Sequence, residues 1–368
     1  MTADVGEHTR NSDVPAVLYD RSRHGDADAQ PGLADFAVNV RPGPPGFVAD
    51  ALASRIGDLA AYPSAAEVAS AAQSAADLHG RRLDEVLLLA GAAEGFELLA
   101  RLGARHVALI QPSFTEPERV LRASGARISQ VTPPPPWRLA DAAVPADADL
   151  VIVGNPTNPT SVLHPATDIL ALRRPGRILV VDEAFADLTL DPLRGAEPES
   201  VAAELADDVI VIRSVTKTFG LAGLRAGYLL AAPDLIARMT AGRRHWPVGT
   251  LTLAALTACL SRRGQDHAAE QARIVADDRQ YLLAALESVG LRAAVAPSAP
   301  YVLVREPEGW KLKAELAWRG IAVRSCANFV GLDADYLRFA VRPPESSDAL
   351  VAAVQDVRRR SRWETTPR

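Results

Sequence analysis

Cysteine is scarce in this chain. Only Cys259 and Cys326 occur, far apart and without C-x-x-C spacing. That excludes a disulfide-stapled scaffold and a cysteine zinc site, and it fits a reducing cytoplasm. The seven histidines are scattered, with no H-E-x-x-H or comparable cluster, so no metal centre is expected. No apolar run nears the length of a membrane span, and the opening stretch "MTADVGEHTRNSDVP" has no signal-peptide core. A soluble, cytoplasmic protein is the expectation. Neither a G-x-G-x-x-G nor a P-loop occurs, which removes the usual nucleotide cradles. An excess of one charge is missing as well. A net charge of -5 with interspersed signs argues against a nucleic-acid partner or a polybasic membrane anchor. The basic end "RRRSRWETTPR" reads as a solvated terminus, and "PPPP" (133–136) as a surface loop.

What is present is a core-forming chain of 368 residues, long enough for a large domain and a smaller one. Residues 1–45 are rich in Asp, Pro, Gly and Ala and read as an extended arm ending in "NVRPGPPGF". Residues 46–260 carry seven apolar runs: "VLLLA" (86–90), "HVALIQP" (106–112), "RISQVTP" (127–133), "DLVIVGNP" (149–156), "RILVVDEAF" (177–185), "VIVIRSV" (209–215) and "RAGYLLAA" (225–232). Most are apolar throughout rather than alternating, the mark of strands covered on both faces of a largely parallel sheet. Stretches such as "EGFELLARLG" between them have helical spacing, so the expectation is an α/β layered domain. Residues 261–368 read as the smaller domain, with a long helix from about 266 and a last helix near 346–360.

Polar punctuation falls just after the strands: "GAAEG", "PSFTE", "NPTNPT", "DEAF" and "SVTK". Ligands of open α/β sheets bind beyond the carboxyl ends of the strands, so these turns can converge on one site. In "SVTKTFGLAGLRAGY" (214–228), Lys217 would by itself be a solvated charge. Two hydroxyls, Ser214 and Thr216, and the fork of Arg225 are, however, donors suited to a phosphate dianion. A lysine beside a phosphate site suggests a cofactor carrying both a phosphate and an aldehyde. Asp182, inside an apolar strand, either caps the next turn or holds a protonated ring nitrogen. Ala92 and Ala93 of "GAAEG" are an ordinary helix start or a set of amides facing a phosphate. Phe114 is a core aromatic or a stacking platform, and Asn158 a turn residue or an amide aimed at a phenolic oxygen.

In their order and spacing these elements resemble the fold type I pyridoxal-phosphate enzymes, specifically the class I/II aminotransferase group. The resemblance runs from about residue 20 to the end. It implies a mostly parallel seven-stranded sheet with a smaller α/β domain, and pyridoxal 5'-phosphate as cofactor. It implies that Lys217 bonds the cofactor's aldehyde and that Ser214, Thr216 and Arg225 hold its phosphate. Asp182 would partner the pyridine nitrogen, Ala184 pack under the ring, Phe114 stack on it and Asn158 meet the phenolic oxygen. Tyr62 would reach the phosphate of a neighbouring subunit in a homodimer. Arg338 would grip a substrate carboxylate. Arg324 and Arg342 would serve a substrate phosphate, with His24 and Asn39 of the arm closing over it.

Within the group, "RHGDAD", "DFAVNVRPGPP", "DEAF", "VRSCANF" and "AVR" look most like threonine-phosphate decarboxylases of cobalamin biosynthesis. Histidinol-phosphate aminotransferases share much of the pattern but typically show a tyrosine where Phe185 stands. Ser161 replaces a usual glycine, Gly249 a usual asparagine, and Pro300 and Tyr301 occupy a usually asparagine-containing strand. The resemblance thus implies decarboxylation of a small phosphorylated amino acid, with transamination of the histidinol-phosphate type as the alternative. A carboxylate held in the plane of the conjugated system favours proton loss, and one turned out of it favours loss of CO2. Two other classes compete. A nucleotide-binding α/β protein would leave Lys217 and Asp182 without a purpose. A catalytically dead relative would not be expected to keep every main cofactor position filled.

Overall fold

The computed structural model describes residues 14–364. Most of the opening stretch "MTADVGEHTRNSDVP" and the last residues of the basic end "RRRSRWETTPR" lie outside the described residues. Strand β1 (Ala34–Phe36) is followed by β2 (Val86–Leu89), β3 (His106–Ile110), β4 (Arg127–Val131), β5 (Leu150–Gly154) and β6 (Ile178–Asp182). A small hairpin, β7 (Leu190–Asp191) and β8 (Gly195–Ala196), precedes β9 (Val209–Ser214) and β10 (Gly227–Leu230). The chain then forms β11 (Tyr301–Arg305), β12 (Ile321–Ser325) and β13 (Tyr336–Ala340).

The seven apolar runs become one seven-stranded sheet in the order β2-β10-β9-β6-β5-β3-β4. Only β10 runs against its neighbours. Burial explains why the runs do not alternate with polar residues. In β5, Val151 and Val153 enter one core while Leu150 and Ile152 enter the other. Val211 and Ile212 of β9 divide the same way. Both faces are covered, so each position is apolar. Helix Ala65–His79 covers one face with its small residues Ala71, Ala75 and Ala76. Ser64 starts it with a capping box, its hydroxyl accepting from the Glu67 amide. Helix Ala92–Leu99 covers the opposite face through Phe96, Leu98 and Leu99.

A second sheet has the order β1-β12-β13-β11, with its own core around Phe36, Leu282, Leu316, Phe339 and Val354. It draws on both ends of the chain, because β1 comes from the arm and pairs in parallel with β12. The arm is therefore not simply extended. It makes short turns at Ala16–Tyr19 and Gly25–Ala27 before its strand, held by long-range partners that a local reading does not see. The long helix starts at Arg262, capped by the Ser261 hydroxyl, and the last helix spans Pro344–Glu364. Among the described residues no helix is long and apolar enough to cross a membrane.

Candidate active site

The carboxyl ends of β2, β3, β5, β6 and β9 open onto one cavity of about 160 Å³. Each wall follows directly from the end of a strand. After β2, Gly91 turns at φ +82° into helix Ala92–Leu99, placing Ala92 and Ala93 at its first turn on the cavity. The turn is clamped: Glu94 accepts from the Ala90 amide and from the Arg243 guanidinium at 2.9 and 2.7 Å. Gly91 is required twice over, for its backbone and because a Cβ there would come within 2.8 Å of the Arg225 guanidinium. At the end of β9, Ser214 and Thr216 bring their hydroxyls together at 2.7 Å on the same wall. Helix-start amides, two hydroxyls and a guanidinium on one wall are donors suited to a phosphate.

Lys217 faces this cavity from the turn after β9, its Nζ 5.9 Å from the centre of the Phe185 ring. Burial lowers its ammonium to about 8, helped by the charges of Arg225 and Arg338 and opposed by Asp182 and Asp26. A neutral amine, the form that attacks an aldehyde, is thereby available near neutral pH. Asp182 ends β6 on the cavity wall. Burial raises its carboxyl to about 6, against the Ala184 amide that donates to it at 3.1 Å. A protonated ring nitrogen at its side would favour the ionised form again. Phe114, Ala184 and Asn158 also line the cavity. The residues present fit pyridoxal phosphate, with donors for the phosphate, a carboxylate for the ring nitrogen and an amine for the aldehyde.

Tyr62 stands apart. It is 75% exposed and stacks on Trp246 with ring centres 4.3 Å apart, outside the cavity of its own chain. The residues expected around a substrate form a second group. His24 lies over Phe114, ring centres 5.4 Å apart, and contacts Glu116. Arg338 donates to Asn158 Oδ1 and to the Ala37 carbonyl, both at 2.5 Å. These partners are neutral, and burial depresses the guanidinium to about 10; among the described residues Arg338 forms no direct ion pair, although the Asp28 charge acts on it from farther off. Asn39 is buried with both amide atoms unpaired. Arg324 is engaged inside the protein, with Asp28, Asn328 and the Arg23 carbonyl. Arg342 is likewise engaged, with the carbonyls of Asp35, Val38 and Val40. Arg324 and Arg342 fasten the arm; none of these five residues is itself in the cavity wall, and Arg338 and His24 adjoin it through Asn158 and Phe114.

Two sequence departures prove to be physically joined. Ser161 adopts φ +67°, a conformation that glycine takes without strain. Its hydroxyl accepts from the amides of Ser298 and Ala299 at 3.1 and 2.8 Å, bonds that glycine could not make. Tyr301, two residues on, donates from its hydroxyl to the Thr157 carbonyl and sets its ring against Phe185 and Arg338. Only half of the Glu94–Arg243 clamp is visible locally, as the glutamate of "GAAEG"; its arginine lies 149 residues further along the chain. The arm also reaches the lysine. Arg41 donates its amide to the Lys217 carbonyl at 2.9 Å, and a Cβ on Gly220 would meet the Gly43 carbonyl oxygen at 2.3 Å.

A phosphate cradle calls for no amine, and a lone buried lysine calls for no phosphate. A cofactor with both a phosphate and an aldehyde needs the two together, so fold and site define a pyridoxal-phosphate enzyme of fold type I. The chain belongs to the class I and II aminotransferases, whose family model, described as "Aminotransferase class I and II", matches residues 33–354. A histidinol-phosphate aminotransferase of Mycobacterium tuberculosis is 50% identical over 334 residues, 90% of each chain. A threonine-phosphate decarboxylase of Salmonella typhimurium is 32% identical, over 88% of this chain and 91% of that one. Among solved structures, the histidinol-phosphate aminotransferase from Clostridium acetobutylicum superposes with a TM-score of 0.80 at 25% identity, covering 89% of this chain and all of the other. The histidinol-phosphate aminotransferase from Sinorhizobium meliloti, in complex with pyridoxal-5'-phosphate, shares the fold with a TM-score of 0.79 at 22% identity, over 96% and 99% of the two chains.

Proposed function

We propose that this enzyme transfers the amino group of a phosphorylated amine of the histidinol-phosphate kind to a 2-oxo acid. The observation that carries the reading is the 50% identity, over nine tenths of both chains, to relatives named histidinol-phosphate aminotransferase. Sequence motifs alone put decarboxylation of threonine phosphate first; the more similar relatives reverse that order. Bound pyridoxal phosphate supplies the electron sink that weakens bonds at the substrate's α carbon. Around it, Ala92, Ala93, Ser214, Thr216 and Arg225 hold the phosphate, and Asp182 keeps the ring nitrogen protonated. Asn158 meets the phenolic oxygen, while Phe114 and Ala184 enclose the ring. Lys217 holds the aldehyde carbon and carries a proton to and from the α carbon. Arg338, for which the resemblance implies a grip on a substrate carboxylate, would take the carboxylate of the 2-oxo acid; with Arg324 and Arg342 engaged by the arm, it is also the guanidinium offered to the phosphate of the amine, with the unpaired amide of Asn39 as a further donor.

A second reading is favoured by the arm. The motif "RHGDAD" folds against the cavity's Phe114 and is locked there by Asp28 with Arg23 and Arg324. With the 32% relative, it supports threonine phosphate as substrate, loss of CO2 as the reaction and a place in cobalamin biosynthesis. The two readings separate cleanly. Histidinol phosphate has no carboxylate to lose, and threonine phosphate has one. We expect the purified enzyme to form an amino acid from a 2-oxo acid when given histidinol phosphate, and to release no CO2 from threonine phosphate. CO2 release without any 2-oxo acid would replace the first reading with the second.

The exposed Tyr62–Trp246 pair supports a two-fold homodimer in which Tyr62 serves the neighbour's cofactor phosphate. Two buried free cysteines support a cytoplasmic setting. Sedimentation should show a dimer at assay concentration, and Tyr62→Phe should speed cofactor loss by roughly tenfold, as expected for a lost charge-assisted hydrogen bond. A fully active monomer would contradict the arrangement.

A further inference from the structure

Behind the lysine lies a second cavity of about 120 Å³, and Ser214 is shared between the two. Asp187, Arg213, Phe219, Tyr228 and Cys259 wall it, and it extends toward Ala196 and Gln265 at the surface. Asp187 sits in the short turn Ala186–Leu188 that follows β6. Its Oδ2 accepts a hydrogen bond from the Thr218 hydroxyl at 2.6 Å, and its Oδ1 is buried without a partner. Asp187 lines the cavity, and the bond from Thr218 is the side-chain hydrogen bond that fixes its carboxylate among the described residues. The hydrogen bonds of the nearest cation and phenol go elsewhere, although the Arg213 charge still acts on Asp187. Arg213 donates to Glu183 and Glu197 at 2.8 and 2.7 Å, and the Tyr228 hydroxyl pairs with His79 at 2.8 Å. Among the described residues, the Thr218 hydroxyl is the partner this carboxylate holds.

Thr218 is the residue after Lys217, and the two side chains serve opposite sides of one segment. Lys217 lines the front cavity, while Thr218 bonds a wall of the rear one. We propose that Asp187 is a positioning residue for Lys217: through Thr218 it pins the lysine's segment from the side opposite the cofactor, fixing where the amine points. The proposal rests on Lys217 being the cofactor's lysine. Its logic is geometric, since small misplacements of a reacting group are costly.

The test uses holoenzyme carrying Thr218→Val, Thr218→Ser, Asp187→Ala or Asp187→Asn. The rate of cofactor loss on dilution and the visible circular dichroism per bound cofactor are measured. Thr218→Val and Asp187→Ala should each speed cofactor loss by roughly tenfold and weaken the dichroic band. Their double variant should lose no more than the worse single one, because both remove the same bond. Thr218→Ser keeps the donor and Asp187→Asn an acceptor, so both should stay near the unmodified enzyme. Unchanged cofactor loss and dichroism in Thr218→Val, even with a lower melting temperature, would overturn the proposal. So would additive effects, or Asp187→Asn behaving like Asp187→Ala. If Asp187→Ala does not fold, the isosteric Thr218→Val decides alone. A visible band absent before any substitution would instead sink the cofactor reading itself.

Discussion

Lys217→Ala protein should be colourless and inactive after mixing with pyridoxal phosphate, and borohydride should leave no cofactor attached to it. No other amine lines the cavity among the described residues, so the loss should be nearly complete. The fold should survive, and the sign of the stability change is fixed by the lysine's surroundings. Burial and the neighbouring Arg225 and Arg338 hold the folded-state ammonium down at about 8. Folding therefore carries a penalty for the charged form that is full below that value and disappears above the ordinary lysine range. Without cofactor, the alanine variant should melt no lower than the parent at neutral pH, with any advantage fading as the solution becomes alkaline. A borohydride-reducible chromophore in the variant would remove Lys217 from its role.

Asp182→Asn should be the next most damaging change. It keeps the shape of the wall but removes the negative charge that holds a proton on a bound ring nitrogen. Groups that stabilise charge developing in a closed site are each worth on the order of 10²–10³ in rate. Turnover should fall by about that factor while the visible absorption persists, because the lysine and the phosphate cradle are untouched. The competing account is that Asp182 merely caps the turn through the Ala184 amide. Asparagine also accepts from an amide, so under that account turnover would stay within a few-fold of the parent. A single rate measurement on a protein of intact absorption separates the two.

The large sheet was legible because burial on both faces writes itself directly into composition, as in "VIVIR" of β9. The cofactor side was legible for a related reason. Its residues leave the ends of those strands within a few positions, so locating the strand locates the group, as with Asp182 and Lys217. The substrate side was less so. Arg324 and Arg342 stood in the expected places, but a sequence does not show that backbone carbonyls of the arm occupy their guanidinium groups. Asp187 passed unnoticed because its meaning lies in an unpaired oxygen and a hydroxyl 31 residues away. The serine at position 161, where a glycine is usual, has no explanation in its own neighbourhood. Its reason is the loop at Ser298 and Ala299, far along the chain.

The arm threads both layers of the molecule on a single length of chain. At Phe36 it is a strand of the smaller sheet, and at Arg41 its amide is bonded to the Lys217 carbonyl, with Gly43 pressed on Gly220. Four residues, 37–40, separate these two attachments, and a stretch that short spans little more than ~17 Å even when straight. It is held along its length, Asp35 Oδ1 accepting from the Ala37 and Val38 amides and the Arg342 guanidinium bonding the Val38 and Val40 carbonyls. If the smaller sheet tilts when a substrate anion settles on Arg338, the strap must either tighten on the lysine's carbonyl or let go of it. Any such movement of the smaller sheet would reach the lysine's segment through a tether rather than through a wall.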